Sequence, residues 1–183
     1  MNNDNAKTLE DNMSNNVDKK EKLKVFIADD VEIIVKTIEN ILKEDIRIEF
    51  LGSANNGIEE YQKIIELKPD LVITDNQMPG LNGIDVIEKI YNQNIENKTQ
   101  FIMITGDASD YELINKANKF EVFRIIRKPV NYESLKETIE EFFIEENNKS
   151  KVEKEETSMV NTKNMNTKNK IWKKILKFFG IIK

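Results

Sequence analysis

Four short apolar runs of this chain each end in residues that could carry out chemistry. The runs are rich in Ile and Val, and they end in the carboxylates of Asp29, Asp30 and Asp75, the hydroxyl of Thr105 and the ammonium of Lys128. Because ligands of an open α/β sheet bind beyond the carboxyl ends of parallel strands, we expect these side chains to converge on one edge. Three carboxylates, a hydroxyl and an ammonium suit a divalent cation and a phosphoryl group.

The elements that must position these side chains alternate between strands and helices from Leu23 onward. Runs that do not alternate in polarity are typical of parallel strands buried on both faces. The sequence predicts strands near 24–28, 46–54, 71–75, 101–105 and 123–128, and helices near 34–42, 57–67, 84–91, 110–119 and 131–143. Five such units predict a doubly wound α/β fold of three layers, whose strand order the pattern leaves open.

Helical spacing also predicts the buried faces and the start of one helix. The second helix is expected to bury a stripe of four residues and the third helix another four: Ile58, Tyr61, Ile64 and Ile65, then Ile84, Ile87, Ile90 and Tyr91. Asn131 is a good N-cap for the fifth helix.

The composition excludes several kinds of site. The 183 residues include no cysteine, which agrees with a reducing cytosol and rules out disulfides and thiolate metal ligands. They include no histidine either, so this chain offers no imidazole ligand, imidazole base or phosphohistidine. Oxygen ligands therefore indicate a hard cation such as Mg²⁺ rather than zinc.

Charge is distributed unevenly along the chain. Residues 151–183 carry nine lysines against three glutamates, a net +6 that leaves −11 for residues 1–150 out of the total of −5. An acidic body is not typical of a domain that grips nucleic acid. We find no secretory signal and no apolar run of the ~20 residues that span a bilayer, and therefore expect a cytoplasmic protein.

Residues 23–143 resemble the receiver domain of bacterial two-component response regulators, in its single-domain, chemotaxis-regulator-like form. The resemblance rests on the acidic pair Asp29-Asp30, the Asp-x-x-Met-Pro-x-x-Asn-Gly motif from Asp75 to Gly83, Thr105 with the small Gly106, and Lys128-Pro129. It implies a flavodoxin-like five-stranded parallel sheet with the order 2-1-3-4-5. We place the domain at 23–145, after a disordered leader at 1–22 and before a flexible charged linker at 146–169.

The same resemblance implies a role for each strand-end residue. Asp75 is expected to accept a phosphoryl group, and Mg²⁺ to be held by Asp30 and Asp75 directly, by Asp29 through water and by the backbone carbonyl of Gln77. Phosphoryl oxygens are expected to contact Lys128, Thr105 and the amide of Gly106. The family pattern also implies a cis bond between Lys128 and Pro129.

Three positions depart from the common family pattern or stand where the family varies. The residue three before Lys128, which is often an aromatic that rotates inward on phosphorylation, is Ile125, so we expect a modified or weaker switch. The residues two beyond Asp75 and Thr105, which commonly tune hydrolysis of the acyl phosphate, are Gln77 and Asp107.

Function follows from the resemblance, and two alternatives remain. We expect a phosphorylation-dependent signalling switch that is not an enzyme except toward its own phosphoryl group, with a histidine kinase or phosphotransfer protein as donor. One alternative is a receiver-shaped interaction module that is never phosphorylated. The other is a Mg²⁺-dependent aspartyl-phosphate phosphatase of the haloacid dehalogenase type, which needs a second aspartate where Gln77 stands.

The 40 residues after Phe143 are too few for a DNA-binding domain, so we expect output through a downstream protein or a membrane rather than direct DNA binding.

The last segment, residues 170–183, has the pattern of a basic amphipathic helix. At 100° per residue its lysines Lys170, Lys173, Lys174 and Lys177 fall in one sector of ~100°, opposite Ile171, Trp172, Ile175, Leu176, Phe178, Phe179 and Ile182. This pattern is typical of an in-plane anchor on an anionic membrane, which would make the protein peripheral at the inner face. A helix that docks on a partner protein or on the receiver domain itself has the same pattern.

Overall fold

The computed structural model describes residues 21–93, 99–149 and 151 of the chain. These residues belong to two compact units that divide between Asn131 and Tyr132. The first unit contains one five-stranded sheet in the order β2-β1-β3-β4-β5, with every neighbouring pair parallel. Its strands are β1 (Leu23–Ala28), β2 (Ile48–Ala54), β3 (Leu71–Asp75), β4 (Gln100–Thr105) and β5 (Arg124–Arg127).

Four helices connect these strands. They are α1 (Glu32–Glu44), α2 (Gly57–Leu67), α3 (Gly83–Asn92) and α4 (Tyr111–Lys119). The second unit contains the helix α5, whose described residues run from 132 to 149, four beyond the predicted domain boundary at 145. Helix α5 buries Leu135, Ile139, Phe142 and Phe143. The predicted flavodoxin-like, doubly wound fold with strand order 2-1-3-4-5 is confirmed.

Apolar residues on both faces of the sheet are buried, as the non-alternating runs predict. Helices α2, α3 and α4 share one apolar cluster with residues of one sheet face, including Phe26, Val72 and Met103. Val25 and Ile27, which alternate with Phe26 along β1, are also fully buried. Helix α1 contacts β1 and β2 and buries three residues of its own: Val35, Ile38 and Leu42. Burial on both faces explains why the central strands carry almost no polar residue before their last position.

The predicted stripe on α2 is half right. Ile64 is buried and Tyr61 packs partly buried against the apolar cluster, as expected. Ile58 and Ile65 are instead 52% and 39% exposed, and the helix also buries Gly57 and Glu60. The reason lies at Gly57, where an added Cβ would stand 2.1 Å from the carbonyl oxygen of Leu81. This close approach fixes the rotation of α2 about its axis, so that Glu60 faces inward and Ile58 faces solvent.

Two smaller expectations of burial are also wrong. Tyr91, placed on the apolar side of α3, is 50% exposed, and its ring contacts that of Phe120. Arg124 and Arg127 are exposed because β5 is an edge strand with a single neighbour, β4. A run that reads as buried on both faces therefore becomes half-exposed at the edge of the sheet.

Several predicted segments lie outside the described residues. They are almost all of the leader at 1–22, most of the linker at 146–169, and the whole basic segment at 170–183. Within the part of the chain that the structure does describe, no helix has both the length and the apolar character that crossing a bilayer requires.

Candidate functional site

The carboxyl ends of β1 and β3 bring three acidic side chains together. Carboxylate oxygens of Asp29, Asp30 and Asp75 all lie within 4.8 Å of one another. Asp29 and Asp75 are buried, whereas Asp30 is exposed. The structure thus places at one edge of the sheet the three carboxylates that the strand ends predict, with one of them open to solvent.

Lys128 follows β5 and reaches two of these carboxylates. Its Nζ donates to Oδ2 of Asp75 at 2.7 Å and to Oδ2 of Asp29 at 3.1 Å. Burial acts to lower the pKa of Lys128, but the two carboxylates outweigh it and hold this pKa above its usual value. Lys128 therefore stays charged at neutral pH and partly neutralises the acidic cluster. Its bond to Pro129 is cis, as the family pattern implies.

Asp75 is the last residue of the central strand β3 and is 4% exposed. Besides the bond from Lys128, its Oδ1 accepts a hydrogen bond from the backbone N–H of Gln77 at 3.2 Å. Burial, aided by the charge of Asp29, raises the pKa of Asp75, and the donors from Lys128 and Gln77 offset only part of this effect. The ionised form of Asp75 is thus disfavoured by its surroundings, and additional positive charge at this point would stabilise it.

Thr105 ends β4 beside these groups and is fully buried. Its hydroxyl accepts a hydrogen bond from the N–H of Asp107 at 3.1 Å, and its carbonyl accepts one from the N–H of Lys128 at 2.9 Å. An added Cβ on Gly106 would have no atom within 4 Å, so packing does not require glycine there. Ile125 lies partly buried against the cluster of α2, α3 and α4.

One contact above the site was not predicted from the sequence. The side-chain amide of Gln77 donates to Oδ2 of Asp107 at 2.5 Å, which joins the loop after β3 to the loop after β4. Both residues are exposed. The sequence singles out these two positions separately, but their separation of 30 residues carries no signal that they touch.

The loop after Asp75 is held by its own short polar residues. Oδ1 of Asn76 accepts from the N–H of Ile84 at 3.2 Å, and the Asn76 carbonyl accepts from the N–H of Gly83 at 3.0 Å. An added Cβ on Gly83 would stand 2.4 Å from the carbonyl oxygen of Asp75. The Asn-Gly pair of the motif therefore allows α3 to begin directly against the backbone of Asp75.

The cluster fits a bound Mg²⁺. The candidate donors are all carboxylate oxygens, which Mg²⁺ prefers, and one of the three carboxylates is open to solvent that would complete an octahedral shell. The raised pKa of Asp75 also favours a bound cation, because Lys128 by itself does not compensate the charge of this buried carboxylate.

A comparison with protein-family models decides the family. The model of the response regulator receiver domain matches residues 25–140. The chain belongs to this family. Residues 25–140 therefore form a receiver domain of a two-component response regulator. Receiver domains typically use Mg²⁺ at an acidic pocket, and the cluster of Asp29, Asp30 and Asp75 is compatible with Mg²⁺ binding.

Similar proteins agree with this family. The chain is 33% identical over 123 residues to the uncharacterized transcriptional regulatory protein YesN of Bacillus subtilis, which covers 67% of this chain and 33% of that protein. It is 31% identical over 123 residues to a protein-glutamate methylesterase/protein-glutamine glutaminase of Methanosarcina acetivorans. This match covers 65% of this chain and 33% of that protein. The chain thus matches about a third of the length of these two relatives.

Solved structures give the same fold. A CheY-like response regulator receiver domain protein from Methanospirillum hungatei superposes with a TM-score of 0.63 at 26% identity, covering 70% of this chain and 99% of that one. A DNA-binding response regulator of the LuxR family from Staphylococcus aureus superposes with a TM-score of 0.59 at 26% identity. The superposition covers 65% of this chain and 97% of that one.

Proposed function

We propose that this protein is a phosphorylation-dependent switch that accepts a phosphoryl group on Asp75. The observation that carries the proposal is the position of Asp75: a buried carboxylate at the end of the central strand, within 2.7 Å of the Lys128 ammonium and beside Asp29 and Asp30. An interaction module that is never phosphorylated would not need this set of charged groups, whose burial is unfavourable to stability.

The transfer consists of one bond formed and one bond broken. A carboxylate oxygen of Asp75 attacks phosphorus, which forms the acyl phosphate as the bond from phosphorus to the donor breaks. With a phosphohistidine donor the P–N bond breaks and the imidazole nitrogen takes up a proton. Lys128 offers its charge to a phosphoryl oxygen, and the Thr105 hydroxyl and the Gly106 amide offer hydrogen bonds to the others.

Asp30 and Asp75 would hold Mg²⁺ directly, with Asp29 through water and the Gln77 carbonyl as a further ligand. When bound, this cation compensates the repulsion between three carboxylates and an incoming phosphoryl group. Lys128 by itself offers one positive charge against the three negative charges of these carboxylates.

The phosphoryl acceptor can be tested with acetyl phosphate and Mg²⁺ as the donor system. We expect intact-protein mass spectrometry to show one added phosphoryl group, labile to hydroxylamine, on the wild-type protein and none on Asp75→Asn. The matched control is Asp85→Asn on α3, which makes the same change in charge outside the cluster and should be labelled like the wild type. Equal labelling of Asp75→Asn would overturn the assignment.

A second variant separates cation binding from the response to phosphorylation. Lys128→Ala should still bind Mg²⁺ in calorimetry because all three carboxylates remain. It should lose the conformational response to phosphorylation because no ammonium then reaches the phosphoryl group.

For donor and output we propose proteins rather than DNA. The chain has no histidine, so a phosphohistidine donor must lie on another protein, a histidine kinase or a phosphotransfer protein. The net charge of −11 on residues 1–150 disfavours contact with nucleic acid, which supports output through a downstream protein.

We further propose that residues 170–183 bind an anionic membrane or a partner protein. The phosphatase alternative is disfavoured because Gln77 cannot act as a general acid or base.

A further inference from the structure

Thr74 is a polar residue inside an apolar strand, and no part of the proposed phosphoryl transfer uses it. All five residues of β3 are buried, and Thr74 is 0% exposed. A hydroxyl in a protein interior is unfavourable to stability unless it makes a hydrogen bond. Thr74 makes one, because its Oγ1 donates to the backbone carbonyl oxygen of Asp75 at 3.1 Å. The hydroxyl therefore serves the backbone of the residue that we propose as the phosphoryl acceptor.

The peptide group between Asp75 and Asn76 is held at both ends. Its carbonyl oxygen accepts from the Thr74 hydroxyl, and its N–H donates to the carbonyl oxygen of Ile104 on β4 at 3.1 Å. The carbonyl and the N–H of one trans peptide lie in one plane and point in opposite directions. Two hydrogen bonds on opposite sides of this peptide therefore leave its plane little freedom to rotate.

The first residue of α3 closes one side of the hydrogen bond from Thr74. An added Cβ on Gly83 would stand 2.4 Å from the carbonyl oxygen of Asp75 and 2.9 Å from Oγ1 of Thr74. Both distances are shorter than a carbon–oxygen contact allows. A valine at position 74 would fill the place of the hydroxyl with a methyl group, which cannot donate to the carbonyl.

The orientation of this peptide also affects the carboxylate of Asp75. Oδ1 of Asp75 accepts from the N–H of Gln77 at 3.2 Å, so the side chain is tied to the backbone two residues ahead. Rotation of the peptide between Asp75 and Asn76 would move that N–H relative to the carboxylate. The hydrogen bond that fixes the peptide thus also fixes the direction in which the carboxylate leaves β3.

We propose that Thr74 is a positioning residue for the phosphoryl acceptor. Its hydroxyl holds the peptide between Asp75 and Asn76 and, through this peptide, the attacking carboxylate of Asp75. The inference rests on the proposed function of Asp75. Small displacements of a reacting group reduce rates strongly, so loss of the hydroxyl slows the transfer although every charged group of the site remains.

The first test measures the peptide itself and needs no phosphorylation. Thr74→Val keeps the shape of the side chain but removes the hydroxyl, whereas Thr74→Ser keeps the hydroxyl. In full-length protein labelled with ¹³C and ¹⁵N, Thr74→Val should move the carbonyl signal of Asp75 upfield and speed hydrogen exchange at the amide of Asn76. Thr74→Ser should leave both close to their wild-type values. If either stays at its wild-type value in Thr74→Val, the proposal fails.

The second test measures the rate of labelling by acetyl phosphate at saturating Mg²⁺. Thr74→Val should be labelled about tenfold more slowly than the wild type, the change that corresponds to loss of one hydrogen bond in the reacting complex. Thr74→Ser should be labelled at close to the wild-type rate, which a purely structural effect of substitution in β3 would not predict. A wild-type rate in Thr74→Val, or a rate in Thr74→Ser as low as that of Thr74→Val, would overturn the positioning role.

Thr99→Val is the matched control. Thr99 is also buried and its hydroxyl donates to the carbonyl oxygen of Pro69 at 2.8 Å, but it precedes β4, at the opposite end of the strands from Asp75. This variant should be labelled like the wild type. If Thr74→Val does not fold, Thr74→Ala removes the same hydroxyl and replaces it in both tests. If not even the wild type is labelled, the proposed function fails, while the carbonyl signal of Asp75 still decides whether Thr74 holds the peptide.

Discussion

At the residue scale, the site combines two kinds of buried carboxyl group. Asp75 is buried with a cation beside it, whereas Glu60 is buried with no partner among the described residues. Both pKa values are raised mainly by burial, so folding takes up protons at both groups. A carboxyl with a raised pKa stabilises the fold below its unfolded pKa, and this stabilisation is lost as pH rises toward the folded pKa.

Glu60→Gln should therefore make stability less dependent on pH. For a folded pKa of about 8 against an ordinary value of 4.5, the wild type loses stability between pH 5 and 8. We expect the variant to gain on the order of 2–4 kcal/mol relative to the wild type across this range, because its amide cannot ionise. Urea unfolding at several pH values measures this gain. Parallel curves for the two proteins would show that Glu60 ionises normally, and Glu66→Gln is the matched control.

The contact between Gln77 and Asp107 makes a prediction about the lifetime of the acyl phosphate. This hydrogen bond joins the two loops above Asp75. We therefore expect it to restrict the approach of water to a phosphoryl group on Asp75. Gln77→Ala should shorten the lifetime several-fold, measured as loss of label after the donor is removed. Gln62→Ala on the exposed side of α2 should leave the lifetime unchanged. A longer lifetime in Gln77→Ala would contradict the shielding role.

At the element scale, β4, α4 and β5 are connected through Thr105. The Thr105 hydroxyl accepts from the N–H of Asp107, and the Thr105 carbonyl accepts from the N–H of Lys128. Three residues beyond Asp107, Asp110 caps α4 by accepting from the N–H groups of Glu112 and Leu113. If the Thr105 side chain moves toward a phosphoryl group, it carries its hydroxyl oxygen away from the N–H of Asp107, and we expect this movement to disturb the turn that leads into α4.

Hydrogen exchange should report this disturbance over residues 105–130. With Mg²⁺ and beryllofluoride as a phosphoryl mimic, we expect the amide of Asp107 to exchange faster, because it loses its acceptor on Thr105. Exchange over α1 should not change, and Asp75→Asn should show no response. Because Ile125 replaces the common aromatic, we expect the two states to differ by little free energy and basal activity to be appreciable. Unchanged exchange over residues 105–130 of the wild type would refute this switch.

At the scale of the whole molecule, the charge asymmetry is the main unexplained feature. The first 150 residues carry net −11 and the last 33 carry net +6, and the basic amphipathic segment lies at the end of the second part. Such a segment adds an electrostatic attraction to anionic lipid that the acidic receiver domain would oppose.

The membrane hypothesis can be tested by co-sedimentation of the full-length protein and a 1–165 truncation with vesicles. We expect the full-length protein to bind vesicles that contain anionic lipid, and binding to weaken at high salt because the attraction is screened. The truncation should not bind, and neutral vesicles should retain little of either protein. Binding that is absent, or that survives the truncation, would favour docking of the segment on a protein instead.

The sequence by itself determined the parallel α/β architecture and the convergence of Asp29, Asp30, Asp75 and Lys128. Strands buried on both faces must be apolar along their length, so a polar residue is conspicuous where such a strand ends. The expected N-cap at Asn131, the Asn-Gly turn and the resemblance to receiver domains depend on equally local patterns. Local chemistry of this kind is visible in the order of the residues.

Only the tertiary structure decided which side chains meet across the chain and which helix faces turn inward. The 2.5 Å contact of Gln77 with Asp107 depends on two loops brought together by the pairing of β3 with β4. The burial of Glu60 depends on the close approach of Gly57 to Leu81, which sets the rotation of α2. Its spacing from Ile64 is a weak signal, because helical periodicity tolerates a rotation that exposes either Glu60 or Ile58. Contacts between distant segments decide such rotations, and no local pattern encodes them.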